Sequence, residues 1–173
     1  MEKKELDAWM KKVAYGDEKA FETLYEQTFR GVFAFAYSYL RNFADAEDVT
    51  QETFISVKQK AGSYRAGTDV RAWLFQITKN LCLDELRRRK LRAQKEDGVL
   101  RETYADPRLP YLDELTESLS DKEREIVILH AVWGYKHREI AEMKDLPLGT
   151  VTWIYKTALK KLKAQQENNE KEV

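Results

Sequence analysis

Four consecutive cations, Arg87, Arg88, Arg89 and Lys90, close an apolar helical pattern, and Asn80 and Asp84 lie two turns and one turn before them. Such a cluster gives sequence-independent affinity for phosphates. The Asn80 amide can hydrogen-bond a base edge. Just upstream, Tyr64, Arg65, Arg71 and Trp73 set aromatics beside arginines. That combination suits unstacked, single-stranded bases. Trp73 also fits the apolar stripe of its helix, so core packing is its expected role. Tyr64, in a polar loop, is the aromatic expected to meet a base.

A second constellation is G-Y-K-H-R-E-I-A-E-M-K-D-L-P-L-G-T-V, residues 134–151. Two helices meet there across a tight turn. Ile140, Ala141, Leu146 and Val151 stand where a helix-turn-helix packs its helices together, and the small Ala141 permits close approach. The second helix would enter the major groove N-terminus first. Backbone N–H groups near Gly149 and Thr150 would suit a phosphate. A plain helical hairpin would show much of the same pattern.

A third is D-A-E-D-V-T-Q-E-T-F, residues 45–54, an acidic patch on a helix with apolar neighbours. By itself it reads as an ordinary solvated face.

Little in the sequence points to catalysis. His130 and His137 belong to no metal or triad spacing, and His130, in an apolar helix, reads as a core-edge residue. Cys82 lies beside an apolar stripe and is expected to be buried and inert. The carboxylates at 45, 47, 48 and 52 have no His or Cys partner, and no glycine-rich phosphate loop occurs. No enzyme activity, cofactor, metal or small-molecule substrate is expected.

Helices must position these groups. Gly and Pro number only 7 and 3 among 173 residues, and strand-like alternation is hard to find. Glu5 to Ala14 predicts a short first helix stopped by Gly16. Asp17 caps a long one with Phe21, Leu24, Val32, Phe33, Ala36 and Leu40 on one face, ending near Asn42. Asp45 is expected to cap a third helix that Gly62 closes, and Asp69 a fourth. Residues 91–112 lose periodicity and hold Gly98, Pro107 and Pro110, which predicts a flexible linker. Fully extended it would span roughly 70 Å. Ser120 and Glu123 form a capping box before Ile126, Val127 and Leu129, and Gly134 stops that helix. Thr150 is expected to cap the last helix, and the polar tail from Lys163 to fray. The expected architecture is all-α, with helical domains at 1–90 and 113–173 joined by the linker.

Bulk composition is compatible with this. Acidic and basic residues balance at 30 each, so the distribution of charge, not its sum, must decide about nucleic acid. A single cysteine, a charged N-terminus and no run of roughly 20 apolar residues predict a cytoplasmic protein.

From about residue 20 to 163 the chain resembles an extracytoplasmic-function sigma factor of bacterial RNA polymerase, a minimal two-domain member of the sigma-70 family. Residues 45–54 resemble the family's polymerase-docking signature. Residues 71–90, R-A-W-L-F-Q-I-T-K-N-L-C-L-D-E-L-R-R-R-K, resemble its helix that melts and reads the minus-ten element, and 134–162 its reader of the minus-thirty-five element. The resemblance implies that Asp45, Asp48, Gln51, Glu52 and Phe54 bind the clamp helices of the beta-prime subunit. It implies that the loop 63–69 captures a flipped non-template base, with Tyr64, Arg65 and Arg71 beside it, and that Asn80, Asp84, Arg87 and Arg88 contact the minus-ten region. Lys136, Arg138, Thr150, Thr152, Trp153, Lys156, Thr157 and Lys160 would face the minus-thirty-five DNA. It also implies core RNA polymerase, including its beta subunit, and promoter DNA as partners. A linker threading the polymerase and an anti-sigma factor, often membrane-anchored, are implied too. A helix-turn-helix regulator that never joins polymerase is the alternative.

One departure stands out. Where the family usually carries Lys or Arg early in the recognition helix, this chain has Thr152, Ile154, Thr157 and Leu159. The second domain is therefore expected to bind DNA weakly alone and to gain avidity from polymerase. Trp153, beside Ile154 and Tyr155, is expected to pack on the core or a partner ahead of a base.

Overall fold

The structure, a computed structural model, describes residues 3–93 and 118–169. All elements among them are helical. Helix α1 (Lys3–Ala14) buries Leu6, Met10 and Val13, one apolar residue per turn. The Asp17 carboxylate accepts the Ala20 N–H at 3.0 Å and starts α2 (Glu18–Leu40). From Gly31 to Ser38 every residue of α2 is buried, so this helix is the axis of the molecule.

The next junction differs from expectation. Arg41 ends α2 in the left-handed region, with φ of 49°. Asn42, not Asp45, caps α3 (Phe43–Lys60), its side chain accepting the Asp45 N–H at 3.0 Å. Asn42 thus begins one helix rather than ending another. A 3-10 turn at Ala61–Ser63 leads into the loop 63–69. Asp69 caps α4 (Val70–Ala93) as expected, accepting the Arg71 N–H at 3.0 Å. Helix α4 runs through Leu91 and Arg92, so the first part of the proposed linker is helical; the rest of it, and the boundary at residue 113, lie outside the described residues.

Beyond, Ser120 donates its backbone N–H and hydroxyl to Glu123, each at 2.8 Å, and α5 (Asp121–Val127) begins there. Its last turn widens to π geometry at Ile128–Val132, with the Trp133 N–H reaching the Ile128 carbonyl at 3.1 Å. Gly134, at φ 72°, ends it. Tyr135 N–H bonds the Leu129 carbonyl and Gly134 N–H that of His130, the paired bonds of a Schellman stop. Helix α6 (His137–Lys144) and α7 (Leu148–Asn169) meet across Asp145, a left-handed residue at φ 51°. Helix α7 starts at Leu148, two residues before Thr150, because the Pro147 carbonyl accepts the Thr150 and Val151 N–H groups. It also continues past Lys163, where fraying was expected.

The two halves share one core. Trp133 and Tyr135 join the cluster built by Leu24, Val32, Phe35 and Leu74. Trp133 lies against Gly31 of α2: a Cβ built there would stand 2.7 Å from its Cε2. Glu125 of α5 is buried between Lys79 of α4 at 3.2 Å and Lys144 of α6 at 2.6 Å. Burial and Glu125 together hold the Tyr39 phenol well above its ordinary pKa.

Candidate nucleic-acid and polymerase interface

Three surfaces correspond to the three constellations. On α3, Asp48, Gln51 and Glu52 are exposed and share one face. Ile55, one turn on, extends it: its apolar character predicts a place on the buried side with Val49 and Val57, yet it is 56% exposed. Asp45 and Phe54 do not belong to this surface. Asp45 is buried and its carboxylate pairs with Arg89, which also donates to the Leu40 carbonyl at 2.8 Å. Phe54 is 3% exposed and packs edge-on against Tyr25 with centroids 4.7 Å apart. Both belong to the inward face of α3, which buries positions 45, 46, 49, 50, 53, 54 and 57.

The second surface joins the loop 63–69 to α4. Arg65 to Thr68 are exposed. Tyr64 is half-buried rather than presented to solvent. Its Oη lies 2.9 Å from both Asp7 Oδ1 and the Thr68 carbonyl, and its ring meets Trp73 edge-on at 5.6 Å. Burial and Asp7 push its phenol up to about 12. Trp73 packs against the core, as its place in the stripe predicts. Asn80, Asp84, Arg87 and Arg88 are all exposed along α4. Asn80 accepts from Gln76 at 2.9 Å, and Arg87 donates to Asp84 at 2.7 Å.

Arg71 is placed differently from its expected role. Its Nη1 donates to the Trp133 carbonyl at 2.9 Å, and its guanidinium lies 4.5 Å from the Tyr135 ring centroid. In this arrangement the second half of the chain covers it. Asp69, beside it, feels opposing forces. Burial raises its pKa, but Arg71 and Lys3 outweigh that and leave the carboxyl below its ordinary value.

The third surface is α6 with the first half of α7. Ile140, Ala141 and Val151 are buried and Leu146 packs against them, as the helix-turn-helix spacing requires. Lys136, the N-cap of α6, and Arg138 within it are exposed, and Trp153, Lys156 and Lys160 form one exposed face of α7. Trp153 is 66% exposed, which rules out the core role; its neighbours Ile154 and Tyr155 take that role instead. Thr152 and Thr157 are half-buried beside this face, as is Thr150 at its start. Thr150's N–H is already bonded to Pro147, so it is not a free phosphate donor.

Under this face lies a ring cluster that sequence did not reveal. His130, His137 and Tyr155 have centroids 4.6, 4.7 and 4.8 Å apart. His130 Nδ1 bonds the Tyr135 carbonyl at 2.7 Å. Burial, His130 and Lys156 lower the His137 pKa. Cys82 is fully buried, and burial pushes its thiol up to about 12, the state of an inert packing residue. Among the described residues no cluster of three or more His, Cys, Asp or Glu side chains could hold a metal ion, and no helix is long and apolar enough to cross a membrane.

Comparison with known proteins gives this arrangement its kinship. A family model for sigma-70 region 2 matches residues 24–92, and one for sigma-70 region 4 matches residues 109–166. The chain is 36% identical over 153 residues to the ECF RNA polymerase sigma factor SigE of Mycolicibacterium smegmatis, covering 80% of this chain and 59% of that protein. It is 32% identical over 148 residues to the RNA polymerase sigma factor CarQ of Myxococcus xanthus, covering 81% and 85%. Among solved structures it resembles the sigma factor RpoE in complex with the anti-sigma factor NepR from Bartonella quintana. The TM-score is 0.70 at 27% identity, covering 86% of this chain and 98% of that one. CnrH in complex with the cytosolic domain of CnrY shares the fold, with a TM-score of 0.67 at 23% identity over 95% of this chain and 98% of that one. With region 2 around α2 to α4 and region 4 around α5 to α7, the chain belongs to the extracytoplasmic-function sigma factors of the sigma-70 family, the factors through which RNA polymerase initiates transcription at chosen promoters.

Proposed function

We propose that this sigma factor docks on core RNA polymerase through the exposed face of α3 and reads a two-element promoter with its two halves. Asp48, Gln51 and Glu52 engage the beta-prime clamp helices. The loop 63–69 captures a flipped non-template base, and Asn80, Asp84, Arg87 and Arg88 contact the minus-ten segment. Lys136, Arg138, Thr152, Trp153, Lys156, Thr157 and Lys160 meet the minus-thirty-five duplex. The first domain runs from residue 1 to the end of α4 at Ala93 and the second spans 113–173. Full minus-ten engagement requires Arg71 to leave Trp133 and Tyr135, so the halves separate when promoter is bound.

The observation that supports this best is the accessible acidic face of α3 on the same chain as a helix-turn-helix. A regulator that never joins polymerase has no use for that face. The protein has no catalytic activity of its own, needs no cofactor and works in the cytoplasm. An anti-sigma factor holds it inactive, a partner of the class that the RpoE complex with the anti-sigma factor NepR supports. Whether that partner is membrane-anchored decides whether the factor is held at the membrane before release.

Promoter-specific run-off transcription with core polymerase tests the reading, and stimulation is the expected result. The double substitution Asp48→Lys, Gln51→Lys should abolish core binding while leaving helical content intact. Unchanged core affinity would refute the docking assignment, and absence of stimulation across a promoter library would refute the sigma reading.

A further inference from the structure

The loop 63–69 does not hold its shape alone. One face of α1 grips it at two points a helical turn apart. Asp7 Oδ1 accepts the Gly67 N–H at 2.8 Å and lies 2.9 Å from Tyr64 Oη, so one carboxylate oxygen ties the start of the loop to its tip. Lys3, four residues earlier and on the same face, pairs with Asp69 at 3.2 Å and fixes the loop's end. Gly67 adopts φ of 83°, a left-handed conformation that glycine takes without strain. The Thr68 hydroxyl and N–H both bond the Arg65 carbonyl, at 2.7 and 3.2 Å, and close the tip.

Asp7 is itself held. Lys11, one turn on, bonds its other oxygen at 2.8 Å. The Lys11 ammonium and the Gly67 N–H keep its carboxyl below the ordinary carboxylate range, so it stays an acceptor. Leu6, Met10 and Val13 anchor α1 in the core. What remains outward is the exposed stretch Arg65 to Thr68. Helix α1 lies wholly before the region-2 match at 24–92.

We propose that Asp7 is a positioning residue for promoter specificity. By clamping Tyr64 and Gly67 it presets the loop to accept one unpaired base of the minus-ten strand, and it does so without touching DNA. A preformed pocket selects more sharply than a floppy one, because the wrong base cannot be met by rearranging the loop. The inference rests on the loop being the base reader, so the test must separate the two.

The test uses the full chain with core polymerase, selecting from a DNA library randomised across the minus-ten segment. The readout is base preference at each position. Three chains are compared with the parent: Asp7→Ala, Asp7→Asn, and the loop variant Arg65→Ala, Thr68→Ala. Asp7→Ala should flatten preference at one position by about tenfold, the scale of a lost charged hydrogen bond. It should spare the other positions and core affinity. Asp7→Asn, which keeps an acceptor for Gly67, should retain part of the preference. A merely structural role would lower all positions together. Loss at the same position in the loop variant and in Asp7→Ala supports the proposal. Loss in the loop variant with full preference in Asp7→Ala overturns it and leaves the loop as reader. No position altered in the loop variant overturns both. Should Asp7→Ala fail to fold, Tyr64→Phe removes only the clamped hydroxyl and must weaken preference at the same position; unchanged preference there overturns the proposal.

Discussion

Asp45 and Asp48 lie less than a turn apart, yet they do different work. Asp45 faces inward to Arg89, a half-exposed guanidinium that also caps the α2 carbonyl at Leu40. Asp48 faces solvent. Removing Asp45 leaves the Arg89 guanidinium with the Leu40 carbonyl and a longer pairing to Glu85 at 3.8 Å, so its compensation is reduced. Asp45→Ala should therefore lower unfolding free energy by about 2 kcal/mol, less than a fully buried pair because Arg89 retains some water. Urea titration measures this, and core affinity of the folded fraction should be unchanged. Asp48→Lys should show the reverse pattern. If Asp45→Ala instead abolished core binding at full stability, the assignment of these two carboxylates would have to be exchanged.

At the scale of elements, the helix-turn-helix rests on His130, His137 and Tyr155. The His137 pKa is lowered in the folded state, by burial first and then by His130 and Lys156. The unfolded chain therefore binds this proton at higher pH than the native chain. The resulting stability is present above the unfolded value of about 6.5 and is lost as pH falls through it toward the folded pKa. Asp7, Asp69 and Glu123 are all depressed, so their contributions are present above about pH 4 and lost only below it. The window from pH 7 to 5 thus belongs to the imidazole. The thermal midpoint should fall between pH 7.5 and 5.5, and His137→Gln should remove most of that fall. A midpoint equally pH-dependent in the variant would show that the ring cluster is not its source.

At the scale of the whole molecule, Trp133 seats the second half of the chain on the first. Burying an indole is worth on the order of 4 kcal/mol against full exposure. Its seat exists because position 31 has no side chain. Gly31→Ala makes two opposite changes. It favours helix α2 by about 1 kcal/mol through propensity and costs about 1–3 kcal/mol by driving a methyl into the indole. The expected outcome is an expanded molecule with undiminished helix content. Small-angle scattering reads the radius of gyration and circular dichroism the helices. An unchanged radius would mean that Lys79, Glu125 and Arg71 suffice to hold the halves together.

The local signals were sufficient for most elements. Asp17, Asp69, Ser120 with Glu123, and Gly134 act through neighbours within a few residues, so their caps and stops were legible. So were the helix-turn-helix frame, the exposed basic end of α4 and the buried Cys82. What sequence alone could not settle was where the polar and apolar residues of α3 and Trp153 of α7 would face. Pairing Asp45 with Arg89, and packing Phe54 on Phe21 and Tyr25 of α2, placed two expected contact residues in the core. The pairing of Asp7 with the loop, the covering of Arg71 and the notch at Gly31 likewise join residues far apart in the chain. Helical periodicity depends on residues three and four apart and therefore determined the elements. Contacts across tens of residues depend on how those elements dock, and only the tertiary structure decided them.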